Sequence, residues 1–254
     1  MDDPGYARLA DMLKGLNADV ARAKSIILVT AHWETERPTM TVSERPGMLY
    51  DYNGFPEETY HLKYPAPGAP KLANKVVDAL RSHGFHIELD QNRGFDHGTF
   101  VPMMLIRPEA DIPILQMSVL SSLDPTQHLK MGKALADVLR DDILLIGSGF
   151  SFHNLKALTG RLTEEDAAQG QNLAAAFHDW LDDIVCDPEL ASAKRDRLLT
   201  DWTAAPGARF CQPREEHLLP LHVCVGAAQA GNMTGRKIFG EPVKGYQTSG
   251  YQWC

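Results

Sequence analysis

The feature that most constrains this chain is a short, unbroken apolar run at residues 25–30, Ser-Ile-Ile-Leu-Val-Thr, which gives way at once to Ala31, His32, Trp33 and Glu34. A run of this length, rich in Ile and Val, suits a strand covered on both faces. Such strands belong to sheets with helices on either side, and ligands of open α/β sheets bind just beyond the carboxyl ends of the strands. His32 therefore stands where chemistry is expected. The pattern returns at residues 143–147, Ile-Leu-Leu-Ile-Gly, which run into Ser148, Gly149 and, shortly after, His153.

Around these two runs the sequence alternates helix-like and strand-like segments. Residues 2–24 read as a helix: Asp3 and Pro4 supply cap and first-turn chemistry, and Leu9, Met12, Leu13 and Leu16 recur at helical spacing. Residues 39–42 read as a second β piece. Residues 69–83 form an amphipathic helix, with Leu72, Val76, Val77 and Leu80 on one stripe and Gly84 as its stop. A short strand at 85–89, a short helix at 101–106 halted by Arg107-Pro108, and a buried strand at 112–119 follow. The Asp124-Pro125 turn opens a helix over 126–140. Residues 164–187 and 189–199 are helical on either side of Pro188, 204–213 are irregular, and 215–228 are a helix whose start carries His217. A turn at 231–235 and a final strand near 249–253 close the chain. No repeat or domain boundary interrupts it. The predicted fold is a single α/β domain over residues 1–254, its mostly parallel central sheet flanked by helices.

Charge and cysteine usage narrow the function. The formal net charge is −8, and the Lys and Arg residues form no cluster, which argues against nucleic acid and anionic membrane as partners. The four cysteines, Cys186, Cys211, Cys224 and Cys254, make no CxxC pair and read as reduced thiols of a cytoplasmic protein. The apolar runs are too short for a membrane span, and Met-Asp-Asp-Pro-Gly lacks the features of a signal peptide.

Four of the ten histidines occupy positions suited to a site. His32 and His153 follow buried strands among small residues, which let backbone and ligand approach closely. His97 lies in the glycine-flanked turn Gly-Phe-Asp-His-Gly, and His217 follows the acidic pair Glu215-Glu216. If they converge, neutral imidazoles would suit zinc or Fe(II). Taken singly, a histidine after a strand is more often a hydrogen-bonded structural residue, and no HxH or HxxxH spacing joins any pair. His83 and His86 flank the stop at Gly84, His128 and His178 read as solvated positions on amphipathic helices, and His222 is offset by five from His217 and should not share its face. His61 sits in the aromatic, Pro- and Gly-studded stretch 50–68, which reads as an ordered wall within reach of substrate. Gly147-Ser148-Gly149 lacks the rest of a nucleotide-binding loop, and Ser148 and Ser151 lack a GxSxG elbow.

Five ordered segments carry more than any one of them. They are Thr-Ala-His-Trp at 30–33; Tyr-Asp-Tyr-Asn-Gly-Phe-Pro at 50–56 with Tyr-Pro-Ala-Pro-Gly at 64–68; Gly-Phe-Asp-His-Gly at 94–98; Gly-Ser-Gly-Phe-Ser-Phe-His-Asn-Leu at 147–155; and Pro-Arg-Glu-Glu-His-Leu-Leu-Pro-Leu at 213–221. Together they resemble the class III extradiol ring-cleavage dioxygenases of the catalytic subunit-B superfamily, in the DOPA-dioxygenase-type branch. The resemblance runs from about residue 25 to the C-terminus. It implies a non-haem metal, Fe(II) for catalysis with Zn in its place in some members, acting on a small aromatic diol and O₂. It implies that His32 and His217 are metal ligands, that His153 is an acid/base close enough to count as a metal neighbour, and that His97 contacts substrate or oxygen. Tyr52, Phe55 and Tyr64 would line the aromatic pocket. The family's first strand ends in a His-Gly-Ser-Pro type motif with a ligand histidine. The chain is expected to lack that strand, leaving an open sheet edge that favours a homo-oligomer. Gln212 stands where many relatives carry histidine. Two rival readings are a catalytically silent, metal- or ligand-binding member of the same fold and a hydrolase using zinc-bound water.

Overall fold

The computed structural model describes residues 3–139 and 142–254. A 3₁₀ turn at Pro4–Tyr6, capped by the Asp3 carboxylate, leads into α1 (Ala7–Gly15) and the single turn α2 (Asn17–Val20). Then come β1 (Ser25–Thr35), β2 (Thr39–Thr41), α3 (Pro70–Ser82), β3 (Glu88–Asp90), α4 (His97–Ile106), β4 (Ile114–Leu120), α5 (Pro125–Leu135) and β5 (Ile143–Ser148). The second half holds α6 (Leu155–Leu158), α7 (Glu164–Cys186), α8 (Ser192–Thr200), α9 (Ala208–Cys211), α10 (Leu219–Ala230) and the hairpin β6 (Gly235–Val243) with β7 (Tyr246–Trp253).

The five-stranded sheet runs β3-β2-β4-β1-β5. β1 pairs in parallel with both β4 and β5, β2 pairs in parallel with β3, and only the β2–β4 contact, Met40 opposite Met117, is antiparallel. This is the mostly parallel α/β architecture expected. The unbroken apolar run of β1 has a direct cause. Ile27 and Val29 pack on one face against α3, α5 and the start of α10, through Val76, Leu80, Leu135 and Leu219. Ile26 and Leu28 pack on the other face against Phe100, Met103 and Ile106 of α4. Both faces are covered, so no position alternates to polar. A separate cluster around Phe152, Phe177, Trp202 and Tyr246 joins α7 and the hairpin to the loop after β5.

Several boundaries differ from the sequence expectation. The helix expected over 2–24 breaks at Leu16, and of that stretch Asp2 lies outside the described residues. The helix expected to 140 ends at Leu135, and Arg140 is likewise outside the described residues. β1 continues through His32 to Thr35, with an irregularity in its pairing to β4 between Val29 and Glu34. His97 opens α4 rather than preceding it, because Asp96 caps the helix by accepting from the Thr99 amide. His217 precedes α10, which starts at Leu219 with Pro220 in its first turn. The long strand β6 had no readable alternation, with Gly240 and Pro242 inside it. His128 and His178 are buried, not solvated: His128 accepts from the Leu120 amide at 2.9 Å, and His178 faces the Ala174 carbonyl at 2.7 Å and the Ser151 hydroxyl at 3.0 Å.

β5 is the outer strand on its side of the sheet. Its Ile143, Leu144, Leu145 and Ile146 are only half-buried, and they border a cavity of about 1180 Å³ between α1, α4, α10 and the hairpin. No helix among the described residues is long and apolar enough to cross a membrane.

Candidate active site

The cavity ends, at the carboxyl side of β1 and β5, in four histidines: His32, His97, His153 and His217. Four separate pieces of chain deliver them, the fourth being the segment before α10, which carries His217. β1 carries His32, the first residue of α4 is His97, and the loop after β5 carries His153. That loop is tied to the segment before α10 by two backbone bonds, Phe150 N–H to the His217 carbonyl at 3.0 Å and His153 N–H to the Cys211 carbonyl at 2.8 Å. These bonds bring His153 over His217, their rings stacked with centroids 3.3 Å apart. His32 touches both neighbours, with its ring centroid 3.7 Å from that of His97 and 4.8 Å from that of His217.

Two carboxylates orient this cluster. Glu216 accepts from His217 Nδ1 at 2.9 Å and lies 3.7 Å from His153 Nδ1. Asp51 accepts from both the backbone amide and Nδ1 of His97, at 3.0 and 2.8 Å, and lies 3.8 Å from His32 Nδ1. With Nδ1 protonated toward Glu216, His217 presents the lone pair of Nε2, which lies 3.2 Å from Nε2 of His32. Two groups of three potential ligands result, His32, Asp51 and His97 on one side and His153, Glu216 and His217 on the other.

The electrostatics follow from burial and crowding. Burial, then the neighbouring His97 and His217, push His32 down to about 3. Burial, then His217, push His153 down to about 4. Both rings are therefore neutral at pH 7, the form that binds metal or accepts a proton. Burial alone would raise Glu216, but the hydrogen bond from His217, a backbone hydrogen bond and the charges of His217 and Arg214 together outweigh it and hold the carboxyl at about 2. For Asp51, burial is likewise outweighed by its bonds to His97, and its pKa is lowered.

Local packing fixes this arrangement closely. Gly98 is required at the start of α4: a Cβ there would meet Thr30 Oγ1 at 2.5 Å and the His32 ring at 2.9 Å. Ser148, the last residue of β5, donates to the Gly98 carbonyl at 2.5 Å. Arg214 forks onto Glu34 at 2.5 and 2.6 Å and also reaches Glu216 at 3.2 Å, linking the His32 strand to the His217 segment.

The aromatic stretch divides. Tyr52 and Phe55 line the cavity, and the Tyr52 ring lies edge-on to His97 at 5.6 Å. The structure does not bring Tyr64 or His61 to the histidines. Tyr64 is a core residue, 2% exposed, whose hydroxyl donates to the Arg107 carbonyl. His61 points outward, its side chain 73% exposed and paired with Glu57, because it ends a short 3₁₀ turn on the loop's surface. Gln212 is fully buried and donates to the Phe150 carbonyl at 2.6 Å. Sequence reasoning did not single out Asp51 or Glu216 as site residues. The usable signal was a carboxylate inside or beside a candidate histidine motif, since ligand imidazoles commonly donate their second N–H to one.

The metal fit can be judged from the donor set. Two ligands on one ion with bonds of about 2.1 Å stand roughly 3.0–3.4 Å apart, depending on the angle at the metal. The 3.2 Å between the two Nε2 atoms matches that spacing. Neutral imidazoles with adjacent carboxylates are donors for Fe(II) or zinc.

Comparisons with known proteins show the family of the chain. Residues 5–249 match the family described as the catalytic LigB subunit of aromatic ring-opening dioxygenase. The chain is 42% identical to the dioxygenase tasH of Hapsidospora irregularis, over 90% of this chain and 74% of that protein. It is 40% identical to the 4,5-DOPA dioxygenase extradiol of Beta vulgaris, over 82% of this chain and 74% of that protein. A crystal structure of an uncharacterised Escherichia coli K12 protein superposes with a TM-score of 0.76 at 26% identity, covering 95% of this chain and 91% of that one. The chain belongs to the LigB family of aromatic ring-opening dioxygenases and, within it, to the extradiol branch whose members include the 4,5-DOPA dioxygenases.

Proposed function

We propose that this enzyme opens a catechol-type ring with O₂ next to the diol, using Fe(II) held by His32 and His217, with zinc able to occupy the same position. The observation that carries the ligand assignment is the 3.2 Å approach of the two Nε2 atoms, one of them fixed as a lone pair by Glu216. When bound, the metal would act as a Lewis acid that makes the diol more acidic and would supply the electrons that let O₂ react with it. His153, neutral and beside His217, accepts a proton from the diol at a ring nitrogen and can return it as the ring opens. His97, held by Asp51 through Nδ1, keeps Nε2 for a substrate hydroxyl or oxygen. Tyr52 and Phe55 stack against the ring and exclude water from one side. A cytoplasmic location fits the four free cysteines.

The test is oxygen uptake by anaerobically Fe(II)-loaded protein presented with a panel of catechols. Stoichiometric uptake with a yellow semialdehyde supports the reading, and no uptake with any catechol by protein that holds iron rejects it. His153→Ala should keep its metal and lose turnover. Loss of the metal instead would make His153 a ligand.

A further inference from the structure

Behind the histidines lies a buried polar network that the ligand assignment does not use. Its centre is Asp96, which is fully buried. Its Oδ1 accepts from the Thr30 hydroxyl at 2.9 Å and from the Thr99 amide at 3.2 Å. Its Oδ2 accepts from Arg93 Nη2 at 3.0 Å. Both side-chain partners reach onward to His32. Thr30 Oγ1 accepts the His32 backbone N–H at 3.2 Å, and Arg93 Nη2 also donates to the His32 carbonyl at 3.1 Å. The guanidinium lies over Trp33, 4.5 Å from the ring centroid. The Asp96 backbone is fixed too, since its N–H donates to Gln116 Oε1 at 3.1 Å, and that oxygen also accepts from the Thr99 hydroxyl at 2.7 Å.

One carboxylate thus grips both peptide groups of His32 through two different side chains and caps the helix that begins with His97. We propose that Asp96 is a positioning residue shared by His32 and His97, which sets the separation and tilt of the two rings and so the geometry offered to the metal and the diol. It touches neither. It acts because a strand end and a helix start, which come from distant parts of the sequence, are referred to a single buried anchor. A burial this deep is stable only while every partner is present, so the anchor has one arrangement. The proposal rests on the reading of His32 as a metal ligand.

The test uses the full chain and reads metal affinity directly, by titrating Co(II) or Zn(II) against a chromophoric chelator, with steady-state kinetics on the Fe(II)-loaded protein alongside. Asp96→Asn keeps an acceptor for Thr99 and Thr30 but turns a donor toward Arg93. Thr30→Val removes only the hydroxyl that links His32 to Asp96, and Thr30→Ser restores it. Val76→Ala, a core truncation that lines no part of the cavity, controls for general loss of stability. The proposal expects Asp96→Asn and Thr30→Val to weaken metal binding about tenfold or more, as loss of an outer partner of a ligand does. It also expects kcat to fall while KM for the catechol moves little, Thr30→Ser to recover wild-type values, and Val76→Ala to bind metal normally. Unchanged metal affinity and kcat in both variants would overturn it, as would an equal loss in Val76→Ala. If the wild-type chain binds neither ion, the ligand reading itself fails, and this proposal fails with it.

Discussion

His217 Nε2 and His32 Nε2 face each other at 3.2 Å, and His217 offers the lone pair there, because its hydrogen is committed to Glu216 on the opposite side of the ring. Without a cation, His32 can donate its own Nε2 hydrogen to the His217 lone pair, and with its hydrogen on Nδ1, on the Asp51 side, it offers a second lone pair to a metal ion at the same spacing. His32→Ala and His217→Ala are therefore each expected to abolish stoichiometric Co(II) or Zn(II) binding, measured by dialysis and metal analysis. His153→Ala is expected to retain it. Retention of a full equivalent of metal by either of the first two variants would remove that residue from the ligand set.

Glu216 and Arg214 should differ in weight. Glu216 is largely buried and bonds directly to the ring of His217, the proposed ligand, whereas Arg214 is half exposed and acts through Glu34 and Glu216. Glu216→Gln is expected to lower metal affinity roughly 10–100-fold, and Arg214→Ala by less, since exposed ion pairs contribute only about 0–1 kcal/mol. Competition titration against a chelator ranks the two. The reverse order would mean that the link between strand and segment outweighs the orientation of His217.

Gly98→Ala separates stability from activity. Alanine favours a helix over glycine by roughly 0.5–1 kcal/mol, yet its Cβ would sit 2.5 Å from Thr30 Oγ1 and 2.9 Å from the His32 ring. The expected outcome is a protein that folds with a thermal midpoint close to wild type and has at least about tenfold lower kcat, a loss of on the order of 1.4 kcal/mol in barrier terms. A variant of unchanged kcat would show that His32 tolerates displacement.

Stability should fall on mild acidification. Burial holds His128 and His178 at about 4, against 6.5 for the exposed side chain. Between those values the unfolded chain binds protons that the folded chain does not. Stability is therefore complete above pH 6.5 and is lost as pH falls toward 4, on the order of 3 kcal/mol for each residue across the window. Urea unfolding of chelator-treated protein between pH 7.5 and 5 should show this decline, and His178→Gln should make it shallower. A pH-independent unfolding free energy would contradict the buried neutral state of these rings.

The sheet was legible because it rested on a local pattern with a physical cause, whereas the convergence of His32, His97, His153 and His217 was expected from the five ordered motifs taken together and not from any local spacing. The run at β1 is apolar throughout because Ile27 and Ile26 face different packed layers. The residues that the sequence misplaced depend on relationships across the fold. Tyr64 and His61 share the aromatic stretch with Tyr52, but only the path of the loop decides that one enters the core, one faces water and one meets His97. His128 and His178 sit on amphipathic helices and are buried because carbonyls, an amide and the Ser151 hydroxyl happen to meet their nitrogens. Asp51 and Asp96 gain their meaning from histidines on other segments of chain.

The claim that this histidine cluster performs extradiol ring cleavage is tested most directly by isotope labelling. Fe(II)-loaded protein should convert a turned-over catechol under ¹⁸O₂ into a ring-opened product that carries both labelled atoms, read by mass spectrometry with rapid quenching to limit exchange. A quinone, or a product labelled from water in place of O₂, would contradict the account.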